Sequence, residues 1–244
     1  MNSDHSPRPR LGFLYPGYAA EDDYPAMAQQ LPSQPIVELV HTSVGVDAHR
    51  IDALLDLGSP ERLAEAAEHL RDRVDAVMWA CTSASFVFGW DGARTQSAAI
   101  SEALGVPVSS TSFAFVEAAR ALDVHAVAIA ATYPEDVAHA FADFLGHAKI
   151  KVASVAVQDI TTAAEVGRLQ RDQVVEFVAA GDHPDAEAVL VPDTALHTVA
   201  SLADLEQALG KPVLTANQVT MWEALRLVDA PRECETLGAL FRRR

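Results

Sequence analysis

Cys81 and Asp193 are the two residues of this chain whose surroundings suggest reaction chemistry. Cys81 ends the apolar run AVMWA and is followed at once by Thr82 and Ser83. A thiol placed there, near backbone N–H groups that open a helix, is expected to ionise below the usual value of about 8.5 and to act as nucleophile or base near neutral pH. The same position also suits a buried structural thiol, because free cysteine behaves as a small core hydrophobe. Asp193 follows the run AVLVP, and a carboxylate directly after such a run is seldom there for packing. It reads as a proton carrier, or as a local turn or helix cap before Thr194.

Hydroxyl groups crowd the same segments: Thr82, Ser83, Ser109, Ser110, Thr111, Ser112, Thr132, Tyr133, Thr194 and Thr215. Many such residues serve as helix caps. Those beside Cys81 and Tyr133 can instead join backbone donors in holding a carboxylate and stabilising enolate-like charge next to it. No Lys or Arg lies in these motifs, so the expected site is a nest of neutral donors.

These residues need strand ends to hold them. Strand-like runs near 11–16, 36–41, 76–81 and 106–110 alternate with helix-period stretches, and a second set follows near 125–131, 150–157, 188–192 and 212–216. That alternation is the signature of an α/β fold with parallel sheets covered by helices. Ser59 and Pro60 read as the start of a helix whose apolar face is Leu63, Ala66, Leu70 and Val74, and Ser201 with Asp204 as the start of another.

The two sets match in order and in their flanking residues. Tyr15-Pro16 pairs with Tyr133-Pro134, ALGVPV from Ala103 recurs as ALGKPV from Ala208, and AVMWACTSA is mirrored by AVLVPDTAL. The chain is an internal duplication in which Cys81-Thr82 stands opposite Asp193-Thr194. Parallel α/β sheets bind ligands at the carboxyl ends of their strands, where every paired landmark falls. Two lobes facing each other about a pseudo-twofold axis would bring Cys81 and Asp193 to one cleft. The expected division is a flexible arm over residues 1–10, a first lobe of 11–112 with 218–244, and a second lobe of 113–217.

Composition narrows the function. A formal net charge of −16 over 244 residues opposes nucleic acid as a partner. It also fails to steer anions from a distance, so an acid must be held by local hydrogen bonds. Two distant cysteines predict no disulfide framework, nine histidines show no metal-ligand spacing, and neither GxGxxG nor a P-loop motif is present. No cofactor or metal is therefore expected. The polar N-terminus and the lack of a run of about 20 apolar residues predict a cytoplasmic chain with no membrane partner. Trp79, Trp90 and Trp222 read as core or cleft wall, and His197 as a surface residue near Asp193.

With WACTSASFVFG, ALGVPVSSTSFAFVEAARAL, ATYPEDV and ALGKPVLTANQVTMWEALRL in order, the chain resembles the aspartate/glutamate racemase superfamily, and within it the maleate cis-trans isomerase and arylmalonate decarboxylase group. The resemblance implies two lobes with a cofactor-free active site between them, and a homo-oligomer. It further implies a nucleophile or base at Cys81, donors at Thr82, Ser83 and Tyr133 for a substrate carboxylate, and a second cysteine where this chain has Asp193. Cys234 lies outside that motif. The first strand end also departs from the maleate isomerase pattern, with Gly17 and Tyr18 after Pro16.

The expected activity is an isomerase of a small carboxylic acid, with Cys81 and Asp193 catalytic and Pro16, Gly17, Thr82, Ser83, Tyr133 and Thr194 binding the acid. The competing readings are a decarboxylase, an amino-acid or hydroxy-acid racemase, and a non-catalytic metabolite-binding homologue.

Overall fold

The computed structural model describes residues 8–17 and 19–242. The first half runs β1 (Arg10–Pro16), α1 (Asp23–Gln30), β2 (Ile36–Thr42), α2 (Ile51–Leu57), α3 (Pro60–Glu68), β3 (Ala76–Trp79), α4 (Ser83–Phe86), α5 (Gly89–Leu104), β4 (Val108–Ser110) and α6 (Thr111–Ala121). The second runs β5 (Ala126–Ala131), α7 (Glu135–His147), β6 (Lys151–Val157), α8 (Ala163–Val166), α9 (Arg171–Ala180), β7 (Ala188–Val191), α10 (Leu202–Leu209), β8 (Val213–Thr215), α11 (Ala216–Leu227) and α12 (Ala239–Arg242). All eight expected strands are present. The expected arm falls mostly on residues 1–7, outside the described residues, and Arg10 already belongs to β1.

The strands form two four-stranded sheets of identical order, β2-β1-β3-β4 and β6-β5-β7-β8, with every pair parallel. The central strands β3 and β7 are buried along their whole length, because helices cover both faces of a parallel sheet and leave no wet side. In each sheet the chain crosses in opposite directions from the first strand, which opens a crevice at the carboxyl ends of β1 and β3 and of β5 and β7.

The repeated ALG segment has a local physical cause. Gly105 and Gly210 sit at φ +70° and +65° after α5 and α10, closing each helix through a bond from the glycine N–H to Ser101 O and Glu206 O. Glycine is the residue that takes this left-handed geometry without strain, and the proline two residues later cannot continue the helix. Ser59 and Ser201 precede α3 and α10 as expected, but neither side chain makes a capping hydrogen bond. Val199–Ser201 instead forms a 3₁₀ turn leading into α10.

One core joins the halves. Phe86 of α4 and Phe115 of α6 each place their rings 5.3 Å from that of Phe141 in α7, and the Thr111 and Thr220 hydroxyls meet at 2.7 Å between α6 and α11. Each aromatic pair contributes about 1 kcal/mol beyond its buried area. These contacts tie the two halves together beside the cleft. No helix among the described residues is long and apolar enough to cross a membrane.

Candidate active site

Cys81 lies two residues beyond the end of β3, and Asp193 two residues beyond the end of β7. Both line one cavity of about 160 Å³ between the sheets, with Pro16, Gly17, Ser83 and Thr194 also in its wall. Gly17 adopts φ +71°, a left-handed turn that carries the chain sharply off β1. Of the expected site residues, Thr82 and Tyr133 are not in the cavity wall. Tyr133 is 1% exposed and donates its hydroxyl to Pro192 O at 2.5 Å, with its ring against His49 and Phe86. Thr82 is fully buried, with its hydroxyl beside that of Tyr133.

The Cys81 thiol is 3.8 Å from Ser83 Oγ and almost wholly buried. Its pKa is pushed up to about 12, chiefly by burial; the Ala84 and Ser83 backbone donors and the Ser83 hydroxyl pull the other way, and the charge of Asp193 adds to the rise. The expected acidic thiol is therefore corrected: desolvation of the thiolate outweighs the N–H donors, and the four-residue α4 adds little helix dipole. Cys81 is a protonated thiol at neutral pH.

Asp193 is 4% exposed. One carboxylate oxygen accepts from the Thr132 hydroxyl, and the other accepts from the Ala195 N–H at 2.9 Å. The turn-capping bond foreseen for this residue is thus present together with a place in the cavity wall. Tyr15 also lines the cavity, donating its hydroxyl to Thr194 O at 2.8 Å. Burial, with smaller contributions from the Asp193 and Glu21 charges, holds its pKa above the ordinary tyrosine value, so it remains a phenol.

The remainder of the wall was not foreseen. The segment between β2 and α2 contributes Val44, Val46, Asp47, Ala48 and His49, and α2 contributes Leu54 and Leu57. Asp47 crosses the cleft, its two carboxylate oxygens accepting from the N–H groups of Ala163 and Ala164 at 2.9 and 3.1 Å at the start of α8. His49 Nδ1 lies 2.9 Å from Ile160 O, and the His49 backbone N–H donates to Thr161 O at 2.7 Å. An acidic residue flanked by small and apolar ones between two elements is the only trace of this strap in the sequence. No Lys or Arg lines the cavity among the described residues, and its wall combines thiol, hydroxyl and carboxylate groups with apolar side chains. His197 pairs with Asp22 at 2.9 Å, and Trp79 and Trp222 are core.

Gly58 supports this arrangement from behind. Any Cβ at that position would stand 2.2 Å from the carbonyl oxygen of Ala84, the residue whose N–H faces the Cys81 sulfur. Gln96 Nε2 already bonds both that oxygen, at 3.0 Å, and Gly58 O, at 2.7 Å, so the backbone has nowhere to yield. Gly58→Ala is expected to cost about 3 kcal/mol through overpacking, lowering the melting temperature by roughly 6–12 °C. An unchanged melting curve by circular dichroism would show that the contact relaxes freely.

A family model described as arylmalonate decarboxylase matches residues 26–241. The arylmalonate decarboxylase of Bordetella bronchiseptica is 30% identical over 166 residues, 66% of this chain and 68% of that protein. A maleate isomerase of Nocardia farcinica is 24% identical over 250 residues, covering 96% and 95% of the two chains. Among solved structures, a liganded double mutant of arylmalonate decarboxylase superposes with a TM-score of 0.86 at 25% identity, over 96% of this chain and 99% of that one. The Nocardia farcinica maleate cis-trans isomerase with a covalently bound succinylcysteine intermediate does so at 0.87 and 22%, over 96% and 98%. Both have the fold seen here. A match over nearly the whole described length, joined to these relatives and to the common two-sheet architecture, shows that the chain belongs to the arylmalonate decarboxylase family.

Proposed function

We propose that the protein is a cofactor-independent isomerase of a small carboxylic acid, with Cys81 and Asp193 acting on the bound acid from opposite lobes. The observation that carries this reading is that a thiol and a carboxylate, at matched positions of a duplicated fold, line one cavity. For an unsaturated diacid such as maleate, Asp193 takes the thiol proton as the sulfur adds to one alkene carbon. The electron pair of the double bond moves onto the neighbouring carboxylate as an enediolate. Rotation about the new single bond follows; the pair then returns, the carbon–sulfur bond breaks, and the thiolate recovers its proton from Asp193. The protonated resting thiol makes such a partner necessary. Ser83 and nearby backbone N–H groups are suited to hold the carboxylate that receives the charge, whereas Thr82, buried behind the cavity wall, would have to move to reach it. Tyr133, bonded to Pro192 O, joins them only if its hydroxyl turns away from that carbonyl.

A second reading is favoured by the thiol's high pKa and the apolar side chains in the cavity wall. A substituted malonate losing carbon dioxide leaves an enediolate, and a protonated Cys81 is poised to deliver its proton to the α-carbon of that species. The thiolate is then reprotonated from solvent. Val44, Val46, Leu54 and Leu57 would face an apolar substituent.

One experiment separates the two. Maleate and phenylmalonate are incubated with the protein in deuterated water and followed by proton NMR. Fumarate from maleate is the expected result. Phenylacetate carrying deuterium at its α-carbon, without fumarate, overturns the isomerase reading in favour of decarboxylation, and inertness towards both acids at stoichiometric protein defeats both readings.

A further inference from the structure

The duplication that pairs Cys81 with Asp193 also pairs two residues that do not reach the cavity. Aligning the segment from Ala103 with that from Ala208 sets Ser112 opposite Asn217, each the second residue of the helix that follows the last strand of its sheet, α6 or α11. Both are fully buried. Ser112 Oγ donates to Thr82 O at 2.9 Å, and Asn217 Nδ2 donates to Thr194 O at 3.2 Å. Thr82 and Thr194 are the residues that follow Cys81 and Asp193. In both lobes, then, one position bonds the peptide carbonyl one residue past the chemical group, although the side chains are a hydroxyl in one lobe and a carboxamide in the other. The shared property is a donor.

The peptide plane carries the effect onward. A trans peptide points its carbonyl and the next N–H in opposite directions, so holding Thr82 O aims the Ser83 N–H, and holding Thr194 O aims the Ala195 N–H. The Ala195 N–H is the group that binds Asp193 Oδ1 at 2.9 Å, and the Ser83 N–H lowers the Cys81 pKa, though less than the Ala84 N–H and the Ser83 hydroxyl do. Local bonds give each turn its shape: Thr82 O also accepts from the Ser85 and Phe86 N–H groups, both at 3.1 Å. Those bonds lie inside the turn and do not fix its place against the neighbouring helix. Ser112 supplies that outside anchor for Thr82 O. At Thr194 O it is shared between Asn217 and the Tyr15 hydroxyl. Asn217 is itself oriented, since its Oδ1 accepts from the Tyr24 hydroxyl at 3.0 Å while its Nδ2 also reaches Asp23 Oδ2 at 3.1 Å.

We propose that Ser112 and Asn217 are a matched pair of positioning residues, each anchoring the peptide whose N–H is aimed at the chemical group of its own lobe. This rests on Cys81 and Asp193 being that chemistry, and the test separates the two claims. Iodoacetamide is reacted with the wild type and with Ser112→Ala between pH 7 and 11, and the modification is read by mass spectrometry at the peptide containing Cys81, independently of any turnover.

Loss of the anchor is expected to turn the Ser83 N–H from the sulfur, disfavour the thiolate and slow alkylation at pH 9 about 2- to 3-fold. The melting temperature should change by only a few degrees. Alkylation at an unchanged or faster rate overturns the proposal, because a merely structural role loosens the turn and exposes the thiol. If Ser112→Ala does not fold, Ser112→Cys, which keeps the volume with a weak donor, gives the same comparison. For Asn217→Ser, whichever of maleate or phenylmalonate is turned over should show kcat lowered roughly 10-fold with KM within about twofold; a change in KM alone counts against positioning. Activity surviving in Cys81→Ala would instead sink the proposed function while leaving the alkylation result to stand.

Discussion

Cys81→Ala is expected to lower turnover of the acid substrate by about 10³-fold or more, with a melting temperature within roughly 4 °C of the wild type. The side chain is small and buried beside Ser83, so removing its sulfur takes away little packing. The catalytic loss is large because no other thiol is near. The second cysteine, Cys234, lies outside the cavity wall, and its sulfur is 3.2 Å from the Thr236 hydroxyl. The measurement is product formation by NMR from maleate and from phenylmalonate, alongside thermal unfolding. A variant that keeps more than about a tenth of wild-type kcat would remove Cys81 from the chemistry, since an acid, base or nucleophile in direct contact with the reacting atoms is worth more than that.

Asp193→Asn should act on both the reaction and the thiol, and the two effects have different signatures. Turnover falls by about 10²-fold, because the amide can neither take nor return a proton. The fold survives, since an amide oxygen still accepts from the Ala195 N–H and the Thr132 hydroxyl can rotate to accept from the amide nitrogen. The negative charge of Asp193 opposes formation of a second negative charge on Cys81 and raises its pKa. Neutralising it therefore lowers the Cys81 pKa and speeds its alkylation at a fixed pH. Burial, the larger cause, remains, so the value stays above the ordinary 9.0. Alkylation thus becomes faster at pH 9 in Asp193→Asn and slower in Ser112→Ala. An alkylation rate at pH 9 that is unchanged or lower in Asp193→Asn would mean that the carboxylate does not face the sulfur.

The strands and their order in two matched halves were legible because they rest on local rules. Period, flanking Pro and Gly, and repeated segments such as ALGVPV and ALGKPV are visible in one dimension. The opposition of Cys81 and Asp193 was legible for the same reason, because a duplication turns a distance in space into a correspondence along the chain. The wall facing them was not. Val44, Val46, Asp47 and His49 belong to an irregular segment, and Asp47 acquires its partners, the Ala163 and Ala164 N–H groups, from 116 and 117 residues away.

The thiol's acidity marks the boundary most clearly. Residue types near Cys81 announced donors that favour a thiolate, and those donors are present. How deeply Cys81 is buried depends on elements distant in the chain that close over it, and ionising a thiol there costs more than the nearby N–H groups return. Short-range pattern was therefore enough for the architecture and for naming the chemical groups. Their protonation, the shape of the space between them and the anchors behind them came from long-range packing, because desolvation and cavity form are properties of everything that surrounds a residue and not of its neighbours along the chain.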